Sequence, residues 1–102
     1  MSLTKYERGN TIKASVEFKS SGVYTDPLYP KINVYKPDGS KLIDGGTPVK
    51  DDTGKYHYYI ETSADDPLGI YIIEWTGWQN LGGVWGSGQL VQRDVFQLVE
   101  VD

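Results

Sequence analysis

The segment Thr11-Ile-Lys-Ala-Ser-Val-Glu-Phe-Lys19 decides the class of fold. Ile12, Ala14, Val16 and Phe18 fall on one side of an extended chain, and Lys13, Ser15, Glu17 and Lys19 on the other. Successive side chains of an extended backbone point to opposite faces, so this period of two predicts a strand with one buried face. Outward from this segment the same period recurs, and helical periodicity does not.

Ser20-Ser-Gly22 ends the first strand, and Asp26-Pro-Leu-Tyr-Pro30 reads as an irregular connection, because its two prolines forbid helix and discourage central pairing. Lys31 to Lys36 is a second strand with Ile32 and Val34 inward. Pro37-Asp-Gly39 presets a turn, and Lys41-Leu-Ile43 returns, so residues 31–43 form a hairpin. Thr47-Pro-Val-Lys50 reads as an edge segment. Asp51-Asp-Thr-Gly54 turns the chain into Lys55–Glu61, where Tyr56, Tyr58 and Ile60 align. Gly69-Ile-Tyr-Ile-Ile-Glu-Trp75 is apolar on both faces except at Glu74, which marks a central strand. Gln89 to Val101 is the last strand, and its alternation loses phase near Gln92 to Asp94, which predicts a bulge there. Seven to eight short strands with turn signals every ~8–12 residues predict an all-β, immunoglobulin-like antiparallel β-sandwich. Gly54-Lys-Tyr56 and Gly69-Ile-Tyr71 each place glycine two residues before a tyrosine, and Tyr71 is the candidate for a tyrosine corner.

A chain of 102 residues without a break in composition is one domain, residues 1–102. Fourteen acidic residues against ten basic ones give a net charge of −4, the wrong sign for a nucleic-acid partner, and the lysines and arginines are scattered. The absence of cysteine excludes disulfides, a thiolate nucleophile and a zinc–thiolate site. No apolar run approaches the ~18 residues of a membrane helix, and Met-Ser-Leu-Thr-Lys-Tyr-Glu lacks an apolar signal region.

Three stretches carry a resemblance: Lys31-Ile-Asn-Val-Tyr-Lys-Pro-Asp-Gly-Ser40, Val49-Lys-Asp-Asp-Thr-Gly-Lys-Tyr56 and Leu68-Gly-Ile-Tyr-Ile-Ile-Glu-Trp75. In that order they resemble small immunoglobulin-like domains in structural proteins of tailed bacteriophages and prophages. Macroglobulin-type and other bacterial surface domains show a similar pattern. The resemblance covers residues 10–76 and rests on turns and strand starts, so it speaks to fold more than to task. It implies a non-enzymatic module of assembly, spacing or adhesion, partnered by other protein subunits, copies of itself among them. The location so implied is a virion assembled in the host cytoplasm, or otherwise a bacterial surface. Residues 77–88, rich in glycine and tryptophan, depart from the simpler members and leave room for an added binding role.

The chemistry-bearing motifs are few. Gly82-Gly-Val-Trp-Gly-Ser-Gly88 lacks the lysine and the following helix of a phosphate loop. His57 is the only histidine, so a catalytic triad or a mononuclear zinc site has little to build on, and the residue reads as a solvent-facing strand position. Asp51-Asp52, Asp65-Asp66, Asp26, Asp38 and Asp44 lie in connections, where turn formation accounts for them without calcium, and no spaced Asp-x-Asp-x-Asp-Gly pattern is present. No catalytic residue, metal ligand or cofactor is therefore assigned. The aromatics remain. Trp75 belongs to the core. Trp78 and Trp85 flank Gln79-Asn-Leu-Gly-Gly83, the tip of a hairpin across which the two indoles would face each other. They either brace that hairpin or, with Tyr35, Tyr24 and Tyr29 extending the patch, bind a partner subunit or the sugar rings of a surface glycan.

Overall fold

The computed structural model describes residues 4–20, 22–81 and 84–100, with side-chain surroundings for 4–19, 22–78 and 90–100. The elements are β1 (Thr4–Glu7), β2 (Thr11–Glu17), β3 (Lys19–Ser20), β4 (Val23–Tyr24), β5 (Leu28–Tyr35), β6 (Lys41–Gly46), β7 (Val49–Asp52), β8 (Lys55–Glu61), β9 (Gly69–Leu81) and β10 (Val84–Val99). A five-stranded sheet, β1-β10-β9-β5-β6, packs on a three-stranded sheet, β2-β8-β7, and β3 with β4 forms a small two-stranded ribbon. This is an all-β sandwich of two packed sheets. The count of ten exceeds the expected seven to eight because the two-residue strands of the ribbon have no periodicity to betray them. One pairing departs from the antiparallel pattern: β1 runs parallel along β10, with Thr4 opposite Phe96 and Glu7 opposite Val99.

The alternation of residues 11–19 is realised as read. Ile12, Ala14 and Phe18 are buried, Val16 is half-buried, and Lys13, Ser15, Glu17 and Lys19 are exposed. Between the sheets these residues meet Ile32, Val34, Tyr56, Ile60, Tyr71, Ile73, Trp75, Phe96 and Leu98. Trp75 is 2% exposed and is a core residue, as expected. Burying such side chains is worth about 1.5–3 kcal/mol each, and this is what holds the two sheets together.

Tyr71 is a tyrosine corner. Its ring is fully buried, stacks on Phe96 with centroids 5.0 Å apart, and its hydroxyl donates to the Pro67 carbonyl at 2.6 Å. Tyr56 is the counterpart at the other end of the sandwich. Its hydroxyl donates to Asp26 Oδ1 at 3.2 Å. Burial first, and then the charge of Asp26, push that hydroxyl up to about 12.

Two local expectations are corrected. The proline-rich connection at 26–30 is strand from Leu28 onward, and its irregularity survives as a register shift between Leu28 and Lys31 with Tyr29 at φ 53°. The bulge expected at Gln92 to Asp94 is absent: pairing of β10 with β9 runs unbroken from Gln89 to Leu98. The shift lies instead between Trp85 and Gln89. The alternation loses phase in the sequence because Gln92 and Asp94 occupy inward positions, opposite Trp75 and Ile73, yet both are exposed. They line an open cleft between β10 and β2.

Candidate functional site

The alternation that buries Tyr71, Ile73 and Trp75 turns Ile70, Ile72, Glu74, Thr76 and Trp78 to the outer face of the five-stranded sheet. Register places their neighbours in rows across that face. Val95, Ile72, Tyr35 and Lys41 form one row, Arg93, Glu74 and Asn33 the next, and Val91, Thr76 and Lys31 the third. Ile70, Ile72, Val91 and Val95 are 38–43% exposed there, an apolar strip across the neighbouring strands β9 and β10. Aliphatic side chains repeated in adjacent rows of one face mark a contact surface better than the same residues scattered singly.

A polar knot divides the strip. Glu74 accepts hydrogen bonds from Arg93 Nη2 at 3.1 Å, Asn33 Nδ2 at 3.4 Å and the Tyr35 hydroxyl at 3.4 Å. Asn33 Oδ1 in turn accepts from the Gly45 amide at 2.8 Å, tying β6 to the knot. Lys31 and Lys41 stand at the margin, Lys41 paired with Asp44 at 3.1 Å.

The residues named from sequence do not all converge here. Tyr35 lies opposite Ile72, whereas Trp78 is half-buried, opposite Leu28 and Gln89, at the far end of β9. Six residues of strand separate the two levels, about 20 Å at ~3.3 Å per residue, so Tyr35 and Trp78 share a face without forming one platform. Trp85 pairs through its backbone with Asn80, not with Trp78, because Val84 already stands opposite Leu81, and a register shift then brings Gln89 opposite Trp78. The side chain of Trp85 lies outside the described residues. Tyr24 belongs to another surface altogether, with Lys19 and Lys55 Nζ 4.7 and 4.8 Å from its ring centroid and its hydroxyl donating to Glu17.

Strand pairing also creates a juxtaposition that the sequence could not show. Ser15 lies opposite His57, and His57 Nδ1 is 2.7 Å from Asp51 Oδ1. Among the described contacts no hydrogen bond joins the Ser15 hydroxyl to the imidazole, whose ring meets Tyr59 edge-on at 5.2 Å. The three residue types of a triad are adjacent, then, but the nucleophile–base bond that defines its chemistry is not made.

The aspartates are engaged by partners within the chain, Asp38 and Asp66 in their own turns and Asp26 by distant residues. Asp38 Oδ1 accepts from the Ser40 amide and hydroxyl, Asp66 Oδ2 from the Ser63 amide, and Asp26 from Lys50, Gly54 and Tyr56. The Lys50 ammonium first, then the Gly54 amide, hold the Asp26 carboxyl below the usual carboxylate range. No three acidic or histidine side chains gather to hold a metal ion among the described residues. Compared with known proteins, the sequence matches no family model and no curated protein.

Proposed function

We propose that this domain is a non-enzymatic structural module that binds other protein subunits through the outer face of its five-stranded sheet. The observation that carries the reading is the strip of Ile70, Ile72, Val91 and Val95 on that face, which no other strand of the described residues covers. A sheet face with aliphatic residues at its centre and an Arg–Glu pair within it has the composition of a protein–protein interface, apolar at the core with arginine enriched. The resemblance to tailed-phage domains makes a virion head or tail component the setting we favour. A glycan-binding role through Trp78 and Trp85 is the alternative, and Tyr35, held by Glu74 at the other end of the sheet, does not add to it.

The test is site-specific photocrosslinking in the source organism or its phage. A photoreactive residue at position 72 should give discrete protein adducts, recovered with assembled particles if the setting is a virion. One at Asp65, exposed in a loop, should not. Adducts at neither position, or adducts only to polysaccharide, would remove the support for this reading.

A further inference from the structure

The four edges of the two larger sheets are finished differently. β1 has four residues. β7 has four and slips register against β8 between Lys50 and Asp52. β6 ends in two glycines, Gly45 at φ 70°, and shifts register twice against β5. Shortness, irregularity and twist are the usual means of keeping an edge from pairing with another chain. β2 is neither short nor irregular: its seven residues contain neither glycine nor proline and pair with β8 in one unbroken register, and it is the edge charges, Lys13 and Glu17, that select against unsuitable strands.

The direction of its free hydrogen-bonding groups follows from two bonds. Thr62 N–H donates to the Asn10 carbonyl and Phe18 N–H to the Gly54 carbonyl, both in register with the β2–β8 ladder. The even-numbered residues of β2 therefore bond to β8. Lys13, Ser15 and Glu17 direct both main-chain groups away from it. Among the described residues β2 pairs with no other strand. Beyond this edge lies the open cleft, about 90 Å³, walled by Tyr6, Ile12, Ala14, Ile73 and Phe96 and bordered by Asp94.

We propose that the free edge of β2 takes up one extended strand from another polypeptide, antiparallel and centred on Ser15. Charge sets the chemistry of that strand. Lys13 makes no ion pair among the described residues, and Glu17 uses Oε2 for the Tyr24 hydroxyl, leaving Oε1. An antiparallel strand satisfies both with a basic residue opposite Glu17 and an acidic one opposite Lys13, and its intervening apolar side chains cover the cleft. The required order is basic, apolar, polar, apolar, acidic. β2 itself has it, in Lys13-Ala-Ser-Val-Glu17. The site belongs to the three-stranded sheet and is independent of the outer face of the five-stranded one.

The probe is a fluorescent peptide with the sequence of residues 10–19, titrated into the full 102-residue chain and followed by anisotropy. Saturable binding is expected. A peptide with its Lys and Glu exchanged should bind about tenfold more weakly, two cross-strand ion pairs having become two like-charge pairs. The protein variant Lys13→Glu/Glu17→Lys should invert that preference. Amide exchange at Lys13, Ser15 and Glu17 should slow on binding, while Ile12, Ala14 and Val16 are protected already. Ser15→Pro removes an outward N–H and should abolish binding with the near-UV spectrum unchanged; if it misfolds, the charge exchange decides. Ile72→Asp should leave peptide binding intact, so that loss of the outer-face reading and loss of this one are told apart. Absence of saturation to about 1 mM, equal affinity of the two peptides, or new protection on β9 instead of β2 would each overturn the proposal.

Discussion

Replacing Gly54 with alanine perturbs the turn between β7 and β8 where three segments meet. Gly54 sits at φ +72°, and a Cβ there would lie 2.6 Å from the Phe18 carbonyl oxygen and 2.9 Å from the Thr25 nitrogen. Both are backbone atoms and cannot rotate aside. They are also bonded: Phe18 N–H donates to the Gly54 carbonyl at 2.7 Å, and Thr25 N–H to the Phe18 carbonyl at 3.0 Å. The left-handed conformation costs an L-residue about 1–2 kcal/mol. Moving the neighbours apart weakens two hydrogen bonds worth about 1 kcal/mol each. The expected loss is then ~3–4 kcal/mol, a large share of the ~5–15 kcal/mol that stabilises a small domain. Gly39→Ala is the control, since Gly39 has φ +91° but nothing within 4 Å of the added carbon, so only the conformational cost of about 1–2 kcal/mol applies. Urea unfolding of both variants at neutral pH measures the difference. Losses within ~0.5 kcal/mol of each other would refute the packed-turn account.

Further outcomes follow from neighbouring contacts. Asp26, held below its ordinary range by Lys50 and Gly54, contributes stability that is present above the unfolded carboxylate value near ~3.9 and is lost as pH falls through its lower folded value; Asp26→Asn should flatten the urea midpoint against pH in that window. Tyr56, raised to about 12, contributes stability that is complete below ~10 and is lost as pH rises towards its folded value; Tyr56→Phe should remove that part of the alkaline loss, read by near-UV circular dichroism. Tyr71→Phe leaves the Pro67 carbonyl without its 2.6 Å donor and should cost about 1–2 kcal/mol in the same urea assay. Ile73→Ala should cost about 2–5 kcal/mol, whereas Ile72→Ala should cost under ~1, because adjacent residues of one strand face core and outer surface; near-equal losses would mean the register is wrong.

Much of this fold is legible because a half-buried strand writes its pleat into the sequence. Residues 11–19, 31–35 and 55–61 alternate as they are buried, and Pro37-Asp-Gly39 turns where its φ preferences require. The tyrosine corner was legible too, from one glycine and one tyrosine at fixed spacing. Pairing partners were not. The parallel course of β1, the level at which Trp78 sits against Leu28, and the extra residues between Trp85 and Gln89 depend on contacts distant in sequence. Two-residue strands such as β3 and β4 are too short to have a period. The Ser15–His57–Asp51 grouping arises in the same way, from register rather than from spacing.

Two departures from simple patterning point beyond the fold itself. Gly69 to Trp75 reads as a central strand because both its faces are apolar, and β9 is central in its sheet, with β10 on one side and β5 on the other. Central position explains only the face carrying Tyr71, Ile73 and Trp75. Ile70 and Ile72 remain 43% and 42% exposed, so the second apolar face has no partner within the described chain. The converse holds on β10, where inward positions carry Gln92 and Asp94 although alternation calls for apolar residues, because the sheet opposite ends at β2 and leaves them to solvent. Apolar residues where the fold provides no cover, and polar residues where a core is expected, both mark places at which the sandwich is unfinished by its own strands. In an isolated domain the exposed aliphatics forgo burial worth about 25 cal/mol per Å² of apolar surface. A module whose neighbours supply the missing face and the missing strand recovers that burial on assembly.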